Sequence, residues 1–197
     1  MDQTLPTPWK PTKAQLLAAR DKLVPDLVAK DLIVLFAGIN PGLYTAAIGH
    51  HFGRPGNRFW PALHSGGFTP RLFSPFEESL LLDLKFGITN VVDRATARAD
   101  ELTDDELRAG GLRLEAKVKR WRPAAVAFVG IHPYRIVSGI KDAHVGLQEP
   151  LFGGSRAWVL PNPSGINAHY QPAALTRLFG DLRVWAVAQH GRGQNGR

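Results

Sequence analysis

Apolar residues along this chain come in short blocks separated by stretches of helical period. The blocks LIVLFAG (32–38), FGITNVV (86–92), AAVAFVG (124–130) and RAWVLP (156–161) hold almost no charge. A strand that is apolar on both faces is a strand covered on both faces, so these four predict an interior sheet. Between them the period lengthens. KAQLLAARDKLVPDLVA is amphipathic and predicts an opening helix, interrupted or kinked near Pro25. SPFEESLLLDL starts with Ser74, Pro75 and Glu77, the N-cap, first-turn proline and capping-box acid of a helix. TDDELRAGGLRLEAKVKRW repeats that signature with Thr103 and Glu106, and QPAALTRLFGDLRVWAVA, with Pro172 near its start, predicts the closing helix.

Strands that alternate with helices imply right-handed crossovers. The expected fold is therefore α/β: three layers, α/β/α, around a central, mostly parallel four-stranded sheet. At 197 residues the chain is expected to form one domain over 12–189. A proline- and threonine-rich flexible segment (1–11) would precede it, and a basic flexible tail, HGRGQNGR (190–197), would follow.

In such sheets ligands bind beyond the carboxyl ends of the strands. Each block here runs into unusual chemistry at that end: GINPG, TNVVDR, GIHPY and LPNPSG. Asn40, in GINPG, is an amide on a rigid turn. It can donate and accept hydrogen bonds together, but it has no useful basicity. GINPG lacks the glycine spacing of a dinucleotide site and the Lys-Ser/Thr of a P-loop. Further on, Phe52 sits in GHHFGRPGNRFW outside any apolar periodicity, where an aromatic ring suits stacking on a planar ligand. Phe59 and Trp60, at a helix start, are expected in the core. His50 and His51 alone do not specify a metal site.

Charge narrows the partner. The formal net charge is +7, with arginines spread along the chain, and this points to a polyanion. Charge by itself does not separate nucleic acid from a phosphorylated small molecule. There is no cysteine, which excludes disulfides and thiolate-held iron–sulfur clusters or zinc. No apolar run reaches the roughly 18 residues of a membrane span, and the polar start MDQTLPTPWK does not read as a signal peptide. The expected location is the cytoplasm, with association to the nucleoid if the source is bacterial.

Taken in order, GINPG, GHHFGRPGNRFW, TNVVDR and NPSGIN resemble the mismatch-specific uracil-DNA glycosylase family, which includes thymine-DNA glycosylase, over roughly residues 32–187. A GQDPY-type motif is missing, unlike in the main uracil-DNA glycosylase family. The resemblance implies a monofunctional DNA N-glycosylase; a monomer is expected because one flipped base needs one pocket, and no cofactor or metal is expected. Such an enzyme would flip out uracil mispaired with guanine in double-stranded DNA and hydrolyse the N-glycosidic bond, leaving an abasic site. Asn40 would hold the attacking water. The backbone at Ile39 and Phe52 would bind the base, with the Phe52 ring on its face and Asn162 lining the pocket. Thr45, with Tyr44, would set the room at the pyrimidine C5 edge. Ser164, Gly165, Ile166 and Asn167 would form the wedge, Ile166 filling the vacated stack.

Asp93, at the end of TNVVDR, is the expected second catalytic group, activating water or stabilising the sugar cation. An ion pair with Arg94 or a helix cap would explain it equally well. Two other functions remain compatible with the sequence. One is a lesion- or mismatch-binding protein that makes no abasic product. The other is an α/β enzyme acting on a small phosphorylated nucleoside.

Overall fold

Strand β1 (Val34–Gly38) is buried at all five positions, and its alternate side chains feed two separate cores. Val34 and Phe36 face one, Leu35 and Ala37 the other. The same division holds along β3 (Ala125–Val129) and β5 (Ser155–Leu160), while β2 (Phe86–Asn90), buried throughout, gives Phe86 and Ile88 to the first core. This two-sided burial is why the strands read as near-continuous apolar blocks. The computed structural model describes residues 6–165 and 170–194, and of residues 191–194 the backbone only.

Two helices cover the Phe36 face. From α3 (Phe59–Ser65) and α7 (Pro172–Gln194) come Phe59, Trp60, Leu63, Leu175, Phe179 and Leu182. The rings of Phe36, Phe59 and Phe68 meet edge to face at centroid distances of 5.4 and 5.3 Å. On the opposite face lie α5 (Asp104–Trp121) and α6 (Ile131–Ser138), which contribute Leu107, Leu114, Val118 and Tyr134. The result is the expected three-layer α/β/α arrangement.

Helix α5 forms where its sequence marks it. The Thr103 hydroxyl accepts from Glu106 N–H at 3.2 Å, and the Glu106 carboxylate accepts from Thr103 N–H at 3.0 Å. Asp104, Asp105 and Glu106 occupy its first turn and Lys119 and Arg120 its last, each sign suited to the helix dipole.

The sheet order is β2-β1-β3-β5-β4, parallel except for β4 (Gly146–Phe152), which runs antiparallel to β5. The chain leaves β1 toward β2 but leaves β3 toward β5. Beyond the ends of β1 and β3 the connections therefore part, and a crevice opens there, as expected at a topological switch point.

The sheet has five strands, not four. Strand β4 escapes a hydrophobicity reading because it is a mostly exposed edge whose pairing shifts register between Leu147 and Leu151, around Glu149 and Pro150. The opening helix is shorter than its amphipathic pattern predicts. Helix α1 (Lys13–Leu17) is capped by Thr12 and followed by Asp21 in a left-handed conformation (φ 62°). Its expected second half is instead extended. There Leu27 exchanges backbone hydrogen bonds with Ile88 of β2 (2.8 and 2.9 Å), so tertiary pairing prevails over local periodicity. The Ser74–Glu77 capping box forms as anticipated, but it caps a single 3₁₀ turn (Pro75–Glu77) ahead of the short α4 (Leu80–Asp83). The last helix continues to Gln194, past residue 189. No helix among the described residues is long and apolar enough to cross a membrane.

Candidate active site

The loops that leave β1 and β2 run side by side. Val91 N–H bonds to Gly38 carbonyl oxygen (2.8 Å), Val92 N–H to that of Ile39 (2.9 Å) and Thr96 N–H to that of Pro41 (3.1 Å). This extends the parallel ladder beyond the sheet and delivers Asn40 to the start of α2 (Leu43–Ile48). The Asn40 amide nitrogen donates to the Arg94 carbonyl oxygen at 3.0 Å and to Thr96 Oγ1 at 2.7 Å. Thr96 passes its own proton to the Arg98 carbonyl oxygen at 2.7 Å. Only nitrogen can face a carbonyl, so the amide orientation is fixed by chemistry. Its Oδ1 is the atom left to accept a hydrogen bond.

Across from it stands Phe52, held at φ 51°, a left-handed conformation that a bulky residue adopts only under constraint. The ring is stacked on fully buried Phe59, with centroids 3.8 Å apart and planes 14° from parallel. Phe59 and Trp60 thus belong to the core, as expected, and Phe59 backs the ring of Phe52. Thr45 Oγ1 accepts from Gly53 N–H at 3.1 Å, tying α2 to the same loop.

The histidine pair has a partner that the sequence does not reveal. Both His50 Nδ1 and His51 Nδ1 lie 2.9 Å from the Glu78 carboxylate, which also accepts from His51 N–H at 2.8 Å. Burial pushes the Glu78 carboxyl up, but the hydrogen bonds and charge of His51, then the bond from His50, outweigh it. Its pKa lies below the ordinary carboxylate value. His51 Nε2 is buried with no hydrogen-bond partner. His51 belongs to the cavity wall, but this nitrogen has almost no surface open to the cavity.

These groups enclose one cavity of about 140 Å³, lined by Ile39, Asn40, Pro41, Gly42, Thr45, His51, Phe52, Asn57, Asn90, Thr96, Ala99, Val129 and Asn162. An apolar cavity of about 150 Å³ holds one benzene-sized ring, whereas pockets for drug-sized ligands run from about 300 Å³. The space therefore suits a single six-membered ring with the rest of its molecule outside. His51 is the one titratable side chain in the lining, and no carboxylate faces the cavity among the described residues.

Of the residues expected from sequence, Ile39, Asn40, Thr45, Phe52 and Asn162 line this cavity together. Ser164 and Gly165 line an adjoining crevice with Arg54, Pro55, Gly56 and Asn57. There Arg58 N–H bonds to the Pro163 carbonyl oxygen at 2.9 Å, and the Arg58 guanidinium donates to the carbonyl oxygens of Ser164 and Tyr170, both at 2.7 Å. A Cβ on Gly165 would come within 2.5 Å of the Gly56 carbonyl oxygen, so the two loops meet backbone to backbone. Ile166 and Asn167 lie outside the described residues.

Asp93 departs from expectation. It does not line the cavity. Its carboxylate takes Lys117 Nζ at 3.1 Å and Arg113 Nε at 3.9 Å, both from α5. Lys117 also meets Asp26 at 2.8 Å, and the two carboxylates raise its pKa against the opposing effect of burial. The anticipated Arg94 pair does not form either, because Arg94 turns to Glu106. Asn90, three residues earlier, is the group that TNVVDR sends into the cavity; its strand-end position, paired with Gly38, was the available signal.

A comparison with protein-family descriptions matches residues 25–183 to the uracil DNA glycosylase superfamily. The match spans every loop that contributes to the cavity.

Proposed function

The chain belongs to the uracil DNA glycosylase superfamily, and from that premise we propose that it excises uracil mispaired with guanine in double-stranded DNA. The reaction would hydrolyse the N-glycosidic bond and leave an abasic site, with no covalent enzyme intermediate. The observation that carries this reading is the Asn40 amide. Its nitrogen is committed to Arg94 and Thr96, and its oxygen is left over a cavity the size of one pyrimidine ring.

In this account the mispaired base leaves the stack at a cost of a few kcal/mol and enters between Phe52 and the Ile39–Pro41 wall. Phe52, backed by Phe59, offers a π face without having to be ordered on binding. The Asn90 side-chain amide lines the floor and suits an edge that both donates and accepts, as the N3–O4 edge of uracil does. The deoxyribose stays at the mouth, near Asn40. A water donating to Asn40 Oδ1 would turn a lone pair toward C1′.

Among the described residues no carboxylate lines the cavity, and His51, its one titratable side chain, is committed to Glu78 through Nδ1, so we assign the chemistry to a dissociative path. The C1′–N1 bond breaks first, its electron pair going to the departing pyrimidine. Water then adds to the sugar cation and releases a proton. Catalysis here rests on preorganised dipoles around separated charge. An enzyme of this design is slow.

Preference for a guanine partner is assigned to the loop from Ser164 to Asn167, with Ile166 as the wedge. Its described part is anchored by Arg58 on the flank of the base cavity. The test is single-turnover excision on labelled duplexes carrying U opposite G, U opposite A and T opposite G. Alkali-sensitive breaks fastest for U opposite G support the proposal. Salt-sensitive duplex binding with no break on any substrate would make the chain a lesion-binding protein instead.

A further inference from the structure

Residues 93–95 form the one stretch of the β2 loop that the backbone ladder does not hold against the β1 loop. The ladder holds Val91, Val92 and Thr96 there, while Ala95 turns away to bond with Asp21 and Lys22. Yet the Arg94 carbonyl in this gap is one of the two acceptors that fix the Asn40 amide. The peptide that carries this carbonyl is tied on its other side by Ala95 N–H to the Lys22 carbonyl oxygen at 3.2 Å, and the Arg94 side chain adds a second restraint. Its Nε donates to Glu106 Oε1 at 2.6 Å and its Nη2 to Glu106 Oε2 at 3.1 Å, a two-pronged pair, with the Glu101 carbonyl oxygen at 3.3 Å. Glu106 is itself locked, because the same carboxylate closes the capping box on Thr103 at the head of the 18-residue α5. That carboxyl is pulled down to about 2, chiefly by the bond from Arg94 and then by the Thr103 N–H.

We propose that Arg94 is a positioning residue for the reaction: through Glu106 it hangs the water-holding amide of Asn40 from the end of α5. The chain of restraint runs from helix cap to carboxylate, guanidinium, Arg94 carbonyl, amide nitrogen and finally Oδ1. Without the guanidinium clamp that peptide keeps only the Ala95–Lys22 bond, its carbonyl can tilt, and the hydrogen bond that aims Oδ1 loosens. Misplacing a reacting group by about 1 Å costs about 100-fold in rate. The inference rests on the reading of Asn40 as the water-binding group.

The test pairs kinetics with a structural readout that does not depend on turnover. In Arg94→Met, single-turnover excision is expected to fall about 10- to 100-fold, with the dissociation constant for uncleavable duplex changed less than about twofold. In an Asn40→Ala background the same substitution is expected to cause no further loss, since the two act as one unit. In ¹⁵N-edited spectra the Asn40 side-chain NH₂ is expected to shift toward solvent-exposed asparagines and exchange faster in Arg94→Met, with other amides unmoved. Glu106→Gln, which keeps an acceptor for the capping box, moves the same signal in the same direction by less. An unchanged Asn40 signal, or equal rate losses in both backgrounds, overturns the proposal. Wild-type protein that excises uracil from no duplex defeats the reading of function instead, and the Asn40 signal still decides the role of Arg94.

Discussion

Gly38→Ala probes the floor of the cavity with one methyl group. Gly38 closes β1 opposite Asn90 of β2, and a Cβ built on it would lie 2.7 Å from Asn90 Oδ1 and 3.3 Å from Phe52 Cζ. To reach ordinary van der Waals contact at 3.4 Å, the Asn90 amide must move by about 0.7 Å. Both neighbours border open space, so they can yield without disturbing the sheet. Replacing a strand glycine by alanine favours the fold by about 0.5–1 kcal/mol, and crowding costs about 1–3 kcal/mol. The net change in stability should thus stay within about 2.5 kcal/mol. Excision should suffer more specifically. A displacement approaching 1 Å in a group that orients the pyrimidine corresponds to about a tenfold lower rate, or about 1.4 kcal/mol in the barrier. Single-turnover excision of uracil opposite guanine measures the rate, and thermal unfolding measures the fold. A wild-type rate in a stably folded Gly38→Ala protein would refute the assignment of the base to this cavity.

Asp93→Asn is expected to leave excision within about twofold of wild type while lowering the melting temperature, because its carboxylate serves Lys117 and Arg113 rather than the cavity. Glu78→Gln is expected to flatten the acid side of the stability profile. The Glu78 pKa is depressed below 4.5 in the folded state, so its contribution is present above that value and lost as pH falls through the lower folded value. Melting temperatures of the two proteins between pH 6 and pH 3 check this, and equal slopes would contradict it. Leu114→Ala, at a fully buried position where α5 packs on the sheet, should cost about 2–5 kcal/mol in denaturant unfolding, with excision at full occupancy unchanged in the protein that remains folded.

What the sequence made legible was local. The four parallel strands announce themselves because burial leaves little room for polar residues, and the capping boxes at Ser74 and Thr103 involve residues three apart. Asn40 and Phe52 stand out for a similar reason, each being the wrong chemistry for its immediate surroundings. Long-range partners left no such trace. Asn40 takes its acceptors from residues 54 and 56 positions away, and His51 meets Glu78 across 27. Asp93 drew attention as a carboxylate at a strand end, but Lys117, 24 residues on, turns it toward α5. Asn90, an amide with no striking neighbour, was easy to pass over, although the strand places it beside Gly38.

The central claim is that the Asn40 amide holds the water that attacks a uracil already drawn into the cavity. Wild type and Asn40→Ala should be compared for single-turnover excision of uracil opposite guanine, and for binding to the same duplex with an uncleavable sugar. The account predicts a rate loss of at least about 100-fold with binding within about threefold of wild type. Excision by Asn40→Ala at close to the wild-type rate, or an equal loss of binding and rate, would contradict it.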